Sequence, residues 1–185
     1  FMKYMGTTEP DFSGGLSTSF RYKTVTLSTS FNLNIGGKKF LYPMFSEDYV
    51  NNSTPSAYAN LPHEMVNRWR KPGDEKITNI PTIPSRDIPV VYTPGGITEY
   101  RHRLYNYSDI RVVNASFLRC NSISLSYTVP EKWVKRMCLK NMSLGASVSN
   151  PFIIVSKQYK GLDPEVASGS QPISRNYSFS INISL

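Results

Sequence analysis

Two stretches of the sequence alternate apolar and small polar residues almost without exception, and this alternation constrains the fold more than any other feature. Residues 25–35 read VTLSTSFNLNI, and residues 176–185 read NYSFSINISL. Successive side chains of a β-strand point to opposite faces of a sheet, so a period of two predicts strands with one apolar and one polar face. We therefore expect an all-β, antiparallel protein.

Three further segments carry the same pattern, which brings the expected number of strands to about five. They read LSTSFRY from Leu16, NASFLRCNSISLSYTV from Asn114 and NMSLGASV from Asn141. Whether the last one continues through 152–155, after an interruption at Asn150-Pro151, is left open. In the second, Arg119 and Asn121 fall on the apolar side. They lie either above the apolar band or next to a β-bulge that shifts the register.

The connections between these strands alternate between short and long. A tight turn near Lys23 and a connector at about 130–140 are short, whereas residues about 36–112 and the segment KQYKGLDPEVASGSQP are long. Within the longest connection, PHEMVNRWRK predicts a short helix that Pro72-Gly73 ends. Transmembrane β-barrels of outer membranes have short periplasmic turns and longer external loops. We therefore interpret 36–112 as an extracellular loop and 130–140 as a periplasmic connector.

The polar face of the strands consists mainly of Ser, Thr and Asn, not of the Lys, Glu and Arg that usually cover a soluble sheet. Such a face suits the wall of a water-filled lumen, and strands of about ten residues are long enough to cross a bilayer at a tilt. The pattern thus predicts a segment of an antiparallel transmembrane β-barrel whose apolar side chains face lipid. The predicted lipid-facing residues are Val25, Leu27, Phe31, Leu33, Ile123, Leu125, Phe179, Ile181 and Ile183.

Composition argues against several other classes of protein. The net charge of +8 comes from scattered basic residues with no long basic tract, so we expect no nucleic-acid partner. Cys120 and Cys138 are too few for a disulfide framework. No run of apolar residues approaches the 18 that a transmembrane helix needs, roughly.

We predict no catalytic centre, metal site or cofactor. His63-Glu64 is followed by Asn67 where the helical zinc motif needs its second histidine, and no Ser-His-Asp set can be assembled. Asp163 and Glu165 are paired carboxylates of the kind that glycosidases and calcium sites use, but Asp163-Pro164 is more simply a turn. Arg68, Trp69 and Arg70 are candidate contacts to a ligand or a lid protein. The alternative is that Trp69 pins the long loop to itself or to the lid.

Aromatic residues also lie near the ends of the strands where the short connections are expected. Tyr22, Tyr127 and Trp133 suit the girdle of aromatic side chains at a membrane interface. The segment EKWVKRMCLK is interpreted as a short helical connector between two strands. An amphipathic helix lying on the membrane surface is the alternative.

Four stretches, in this order and spacing, resemble the C-terminal part of the SusC/RagA family of TonB-dependent outer-membrane transporters. They are GGLSTSFRYKTVTLSTSFNLNIGGK, EMVNRWRKPGDEKITNIP, SFLRCNSISLSYTVPEKWVKRM and SNPFIIVSKQYKGLDPEV. The resemblance spans nearly the whole chain. It departs at Leu185, because the family tends to close on an aromatic residue.

The resemblance implies a non-enzymatic role in the cell outer membrane. It implies a barrel of 22 strands around an N-terminal plug, of which residues 1–185 supply the C-terminal strands and not the plug. The implied partners are the remaining strands and the plug, a SusD-like surface lipoprotein, TonB acting through the plug, outer-membrane lipid, and a glycan or peptide substrate. The last strand is expected to carry the signal for barrel assembly: Tyr177, Phe179, Ile181, Ile183 and Leu185.

A sheet of five strands cannot be a complete membrane-spanning structure. Each unpaired backbone group at an open edge costs several kcal/mol in hydrocarbon, so we expect both edges to pair with other strands. The start FMKYMGTTEP also looks like the interior of a longer protein. A soluble all-β carbohydrate-binding or adhesion module is the alternative, but it explains neither the Ser/Thr/Asn face nor the sorted connections. A β-rich hydrolase lacks a coherent catalytic set.

Overall fold

In the computed structural model, the long strands of the chain form one antiparallel sheet. The structure describes residues 3–45, 58, 60–83, 91–92, 98–99, 101–167 and 170–184. Its strands are β1 (Phe12–Tyr22), β2 (Val25–Ile35), β3 (Lys38–Phe40), β4 (Val91–Tyr92), β5 (Thr98–Glu99), β6 (Val112–Asn114), β7 (Phe117–Thr128), β8 (Asn141–Val155) and β9 (Asn176–Ser184). The large sheet has five strands in the order β1-β2-β7-β8-β9. Each long strand therefore pairs with the next long strand along the chain.

The helices among the described residues are all short. Arg101–Asn106 and Glu131–Arg136 are α-helical, and His63–Asn67, Asp74–Lys76, Asp109–Arg111 and Lys157–Tyr159 are 3₁₀ turns. None of the helices in the described part of the chain combines the length and apolarity that a membrane-crossing helix requires. The helix predicted at PHEMVNRWRK is present only as the turn His63–Asn67 and ends before the predicted Pro72-Gly73.

A β-bulge resolves the irregular phase of β7. Ser30 of β2 pairs with Ser122, but the next residue, Phe31, pairs with Cys120, which leaves Asn121 without a partner in β2. The extra residue changes the face on which every residue before it lies. Arg119 is therefore opposite Asn32 on the polar face, and of the two interpretations given above, the bulge is the correct one.

The same irregularity continues into β8. Cys120 pairs with Phe152 and Ser122 with Ser149, so Asn150 and Pro151 lie between these pairs. Asn150 has φ +53°, a left-handed conformation that asparagine adopts more readily than most residues. Pro151 cannot donate a hydrogen bond to the sheet, and bulges are one of the few places where a sheet accommodates proline. The strand is thus continuous from Asn141 to Val155, and Asn150-Pro151 bends it without ending it.

The chain divides into two compact units. Residues 6–39 and 114–185 form the sheet unit, which contains β1, β2, β7, β8 and β9. Its short connections are the turn at 23–24 and the segment 129–140, and both lie at the same end of the sheet. There the backbone N–H of Thr128 donates to the carbonyl of Thr24 at 2.8 Å.

Residues 1–5 and 40–113 form the loop unit. It has its own small core, in which Met44, Phe45 and Met65 are buried and Ile80 and Tyr105 pack against them. The side-chain carbonyl of Asn106 accepts the backbone N–H groups of Met44 and Phe45 at 3.0 and 3.3 Å, and its amide donates to the Phe45 carbonyl at 2.7 Å. The described part of the long connection therefore contains a packed core that its irregular sequence does not predict.

Candidate functional site

One face of the sheet carries all nine side chains predicted to face lipid. The register places Leu27 opposite Leu125, Leu125 opposite Ala146, and Ala146 opposite Phe179, so these residues form a row across β2, β7, β8 and β9. Leu27, Leu125 and Phe179 are 42%, 46% and 84% exposed, and Ile181 and Ile183 are also exposed. Val25, Phe31, Leu33 and Ile123 are half-buried by their neighbours on the same face. The sheet thus presents a broad apolar surface.

The apolar face continues onto β1 and includes one polar pair. Leu16 lies opposite Phe31 and Phe20 opposite Leu27, and both β1 residues are exposed. Between these pairs, the hydroxyls of Thr18 and Thr29 are hydrogen-bonded to each other at 2.8 Å. Each hydroxyl therefore has a partner without water, as an apolar surrounding requires.

The opposite face is lined with small hydroxyl side chains. Ser19 and Ser28 lie 3.2 Å apart, and the Ser17 hydroxyl donates to Ser30 at 3.4 Å. On β7, β8 and β9 a shallow hollow of about 250 Å³ is lined mainly by serines and by Gly145. A surface of this chemistry hydrogen-bonds water well and carries little charge.

Arg119 joins the polar face to the connection between β8 and β9. Its guanidinium donates to both carboxylate oxygens of Asp163 at 2.7 Å and, through Nε, to Glu165. The Arg119 side chain is only 7% exposed. Lys39 Nζ also donates to the carbonyl of Pro164 at 2.7 Å. Because Arg119 lies on the polar face, these contacts hold residues 163–165 against that face.

Sequence reasoning missed this cluster. The predicted turn at Asp163-Pro164 is present, since the backbone N–H of Glu165 donates to the Asp163 carboxylate at 3.0 Å. The ion pairs of Asp163 and Glu165 with Arg119 are not predicted from the sequence. The available signal was an arginine out of phase in a strand together with a carboxylate pair in the next long connection. The spacing alone does not predict that Arg119 contacts Asp163 and Glu165, because the bulge at Asn121 determines the face on which Arg119 lies.

The Arg68–Trp69–Arg70 segment lies in the loop unit and contacts its own neighbours. The Trp69 indole donates to Glu75 at 3.2 Å, and its backbone N–H donates to Ile80 at 2.9 Å. The guanidinium groups of Arg68 and Arg70 donate to the carbonyls of Met65 and Val66 at 3.1 and 2.8 Å, respectively. These contacts show Trp69 pinning the loop to itself, as one of the two interpretations predicts. Arg70 nevertheless remains exposed.

Glu75 accepts hydrogen bonds from two residues in or near the Arg68–Trp69–Arg70 segment. Its carboxylate accepts from the Trp69 indole and from the backbone N–H of Gly73 at 2.8 Å. Hydrogen bonds from its own backbone N–H, from Trp69 and from Gly73 lower the pKa of Glu75. The carboxylate therefore stays charged, and the bond with Trp69 persists, below the pH at which an ordinary glutamate is protonated.

A surface groove of about 590 Å³ opens beside Trp69. Its walls include Trp69, Glu75, Ile80, Leu104 and Tyr105. Burial raises the pKa of the Tyr105 phenol, an effect that Arg111 opposes. The groove combines aromatic walls with polar groups, a composition found in many ligand sites.

The loop unit also buries two cationic or titratable side chains. Arg111 is 3% exposed; it donates to Glu64 at 3.2 Å and to the carbonyl of Tyr42. The His102 ring is hydrogen-bonded through Nε2 to the Thr82 carbonyl at 2.8 Å. Among the described residues, no group of three or more His, Cys, Asp and Glu side chains is placed to hold a metal ion.

The predicted assembly strand forms an edge of the sheet. Tyr177, Phe179, Ile181 and Ile183 lie on the apolar face of β9, opposite Val148, Ala146, Leu144 and Met142 of β8. All four side chains are exposed. Leu185 lies outside the described residues.

Solved transporters contain a segment with this fold. The RagAB peptide importer matches in its open-open state, with a TM-score of 0.60 over 96% of this chain and 17% of that chain at 20% identity. In the closed-closed state the TM-score is 0.63 over 99% of this chain and 18% of that chain at 21% identity. The antiparallel sheet with one apolar and one hydroxyl-lined face is therefore a partial β-barrel of the kind found in these transporters.

Sequence comparison defines the family more closely. The TonB-dependent receptor SusC of Bacteroides thetaiotaomicron is 31% identical over 175 residues, and the TonB-dependent receptor P3 of Formosa agariphila is 26% identical over 163 residues. The matches cover 92% and 88% of this chain but 14% of each relative. No protein-family model matches the chain. The chain belongs to the SusC/RagA family of TonB-dependent transporters and spans about one seventh of the length of these relatives.

Proposed function

We propose that this chain forms barrel wall and extracellular loops of a TonB-dependent importer in the outer membrane. The observation that carries the proposal is the broad, exposed apolar face of the sheet, opposite a face of small hydroxyl side chains. A soluble protein rarely exposes so large a contiguous apolar surface. In a bilayer the same surface is covered by lipid, and the hydroxyl face lines a wet lumen.

The proposed topology follows from the two ends of the sheet. The turn at 23–24 and the connector at about 130–140 are on the periplasmic side. The loop at about 36–112 and the connection between β8 and β9 are on the extracellular side. Arg119, Asp163 and Glu165 then hold the second of these loops against the lumen-facing wall near its extracellular end.

The proposed partners follow from membership of the family. The rest of the barrel, with about 22 strands in all, and the plug complete the pore, TonB acts through the plug, and a SusD-like lipoprotein covers the extracellular opening. Arg68, Trp69 and Arg70, next to the groove at Glu75 and Tyr105, are the proposed contacts to the substrate or to that lipoprotein. The proposed cargo is an oligosaccharide or a peptide. The chain's role is structural and selective, with no catalytic step.

Uptake measurements test this function in the organism that encodes the chain. The gene for the whole protein is deleted, and the strain is grown with oligosaccharides or peptides as the only source of carbon or nitrogen. We expect growth on at least one of these nutrients to be lost, to return on complementation, and uptake of its labelled form to stop when a protonophore removes the energy source of TonB. Unchanged growth on every nutrient, or uptake that resists the protonophore, contradicts the proposal.

A further inference from the structure

The end of the sheet with the short connections carries a strong excess of positive charge. Its two connections and the adjoining strand ends contain Arg21, Lys23, Lys132, Lys135, Arg136 and Lys140. Among the described acidic residues of the sheet unit, Glu131 alone lies at this end, and it is paired with Lys135 at 3.1 Å. The other described acidic residues of this unit lie toward the opposite end of the sheet: Glu9 and Asp11 precede β1, and Asp163 and Glu165 follow β8.

The connector helix Glu131–Arg136 adds an apolar stripe to this charge. Trp133 and Met137 are four residues apart, so their side chains lie on the same side of the helical segment. They are 66% and 49% exposed, whereas Val134 is 2% exposed and anchors the helix to the sheet unit. Lys132 and Arg136, also four apart, form the neighbouring exposed stripe. The outer surface of the connector is therefore amphipathic, with indole and thioether groups beside cations.

Backbone hydrogen bonds join both ends of the connector to the sheet. The backbone N–H of Val129, just before the connector, donates to Met142 at 2.9 Å, and the N–H of Lys140, at its end, donates to Ser184 at 2.8 Å. On the neighbouring turn, the Lys23 ammonium lies 5.3 Å from the centroid of the Tyr22 ring. A cation–aromatic pair of this kind suits the boundary between hydrocarbon and water.

We propose that this basic and aromatic end of the sheet, residues 21–24 and 129–140, binds anionic phospholipid headgroups of the periplasmic leaflet. The inference rests on the proposed function, which places the apolar face of the sheet in lipid. Trp133 and Met137 enter the upper acyl region, while Lys132, Arg136 and the neighbouring cations contact headgroup phosphates. The connector thus anchors the barrel at a fixed depth and gathers acidic lipid around it.

Lipid selectivity of the whole transporter tests this inference. The purified full-length protein is reconstituted in bilayers of phosphatidylcholine with and without phosphatidylglycerol, and the lipids that stay bound are counted by native mass spectrometry. The test variant is Lys132→Gln/Arg136→Gln, and the matched control is Lys71→Gln/Lys76→Gln in the loop unit, where both lysines are exposed. A cation near an anionic surface contributes about 1 kcal/mol, which corresponds to about a fivefold preference. We expect the preference for phosphatidylglycerol to fall about fivefold per charge removed in the test variant and to be unchanged in the control.

A depth measurement covers the case in which the double variant does not fold. Lipids brominated near the headgroup quench nearby tryptophan, so the wild-type protein should lose more fluorescence than Trp133→Phe when such lipids are present. Equal lipid selectivity in the test variant and wild type, or quenching that does not depend on Trp133, overturns the inference. Failure of the wild-type protein to enter a bilayer instead overturns the proposed function, so the two failures are distinguishable.

Discussion

Arg119 is the shared ion-pair partner of two carboxylates in the connection between β8 and β9. Replacing it by glutamine removes the partner of two partly buried carboxylates, and breaking a buried ion pair from one side costs about 3 kcal/mol. We expect Arg119→Gln to release residues 156–166 in the full-length transporter. Hydrogen exchange read by mass spectrometry should show faster exchange in this segment and no change in β2.

Lys39→Gln is the control for Arg119. It removes one hydrogen bond to the Pro164 carbonyl from an exposed side chain, so its effect on the same segment should be clearly smaller. Exchange that is as fast in Lys39→Gln as in Arg119→Gln would show that the ion pair does not fix the loop.

Thr18 and Thr29 test whether the apolar face lies in hydrocarbon. Thr29→Val leaves the Thr18 hydroxyl without its partner, and an unsatisfied hydroxyl costs about 1–3 kcal/mol when water is excluded. The double variant Thr18→Val/Thr29→Val removes both hydroxyls and should be close to the wild type in stability. Urea unfolding of the full-length barrel in lipid vesicles measures Thr18→Val, Thr29→Val and the double variant. A double variant as unstable as the sum of the single variants contradicts a dry surrounding.

Glu75 gives the loop unit a dependence on pH. Because its pKa is lowered in the folded protein, the carboxylate stabilises the fold at pH values above the ordinary glutamate pKa. This contribution is lost as the pH falls through the lowered pKa. A ¹⁹F NMR signal from fluorotryptophan at position 69, assigned with Trp69→Phe, should therefore shift below the ordinary range. In Glu75→Gln the shift should be absent, and a titration at the ordinary glutamate pKa would contradict the bonded geometry.

At the scale of the strand, two adjacent residues of β2 test which face of the sheet contacts lipid. Leu27→Arg places a charge on the apolar face and should cost about 2–4 kcal/mol if the site is near the midplane of the bilayer. Ser28→Arg is the matched control, since it introduces the same charge one residue away on the polar face. We expect lower barrel insertion for Leu27→Arg alone, measured as the heat-modifiable fraction in outer membranes. Equal insertion of both variants rejects the assignment of faces.

The strands could be predicted from the sequence because alternation is a local property. Residues 25–35 were predicted as a strand, and β2 has these bounds. The pairing register between β2 and β7 was not predictable at Arg119, because one bulged residue changes the face on which residues 117–120 lie. The ion pair of Arg119 with Asp163 and the groove beside Trp69 and Tyr105 were missed for a related reason. Both features bring together residues that are far apart in the sequence. The alternation of apolar and polar residues is a local pattern and does not predict such contacts.

At the scale of the whole molecule, the edge strands β1 and β9 each need a further neighbouring strand from the rest of the barrel. Within the described sheet each pairs on one side only, with β2 and β8 respectively. Closing the barrel would give both strands a second neighbour and remove the unpaired edge groups. Amide hydrogen exchange in the full-length transporter should therefore be as slow in β1 and β9 as in β2. Fast exchange confined to β1 or β9 would show that the barrel is not closed there.

The bulge at Asn121 also sets a rule for how this strand can change in evolution. Losing one residue from a regular strand exchanges its two faces, whereas losing two restores them, so gaps between relatives in β7 should span even numbers of residues. Position 121 is the exception, because deletion of this residue, which has no partner in β2, yields an unbroken ladder with β2. Such a deletion would keep Cys120 opposite Phe31 and Arg119 opposite Asn32, so lineages that carry it should retain the arginine at this position and the acidic pair in the following loop.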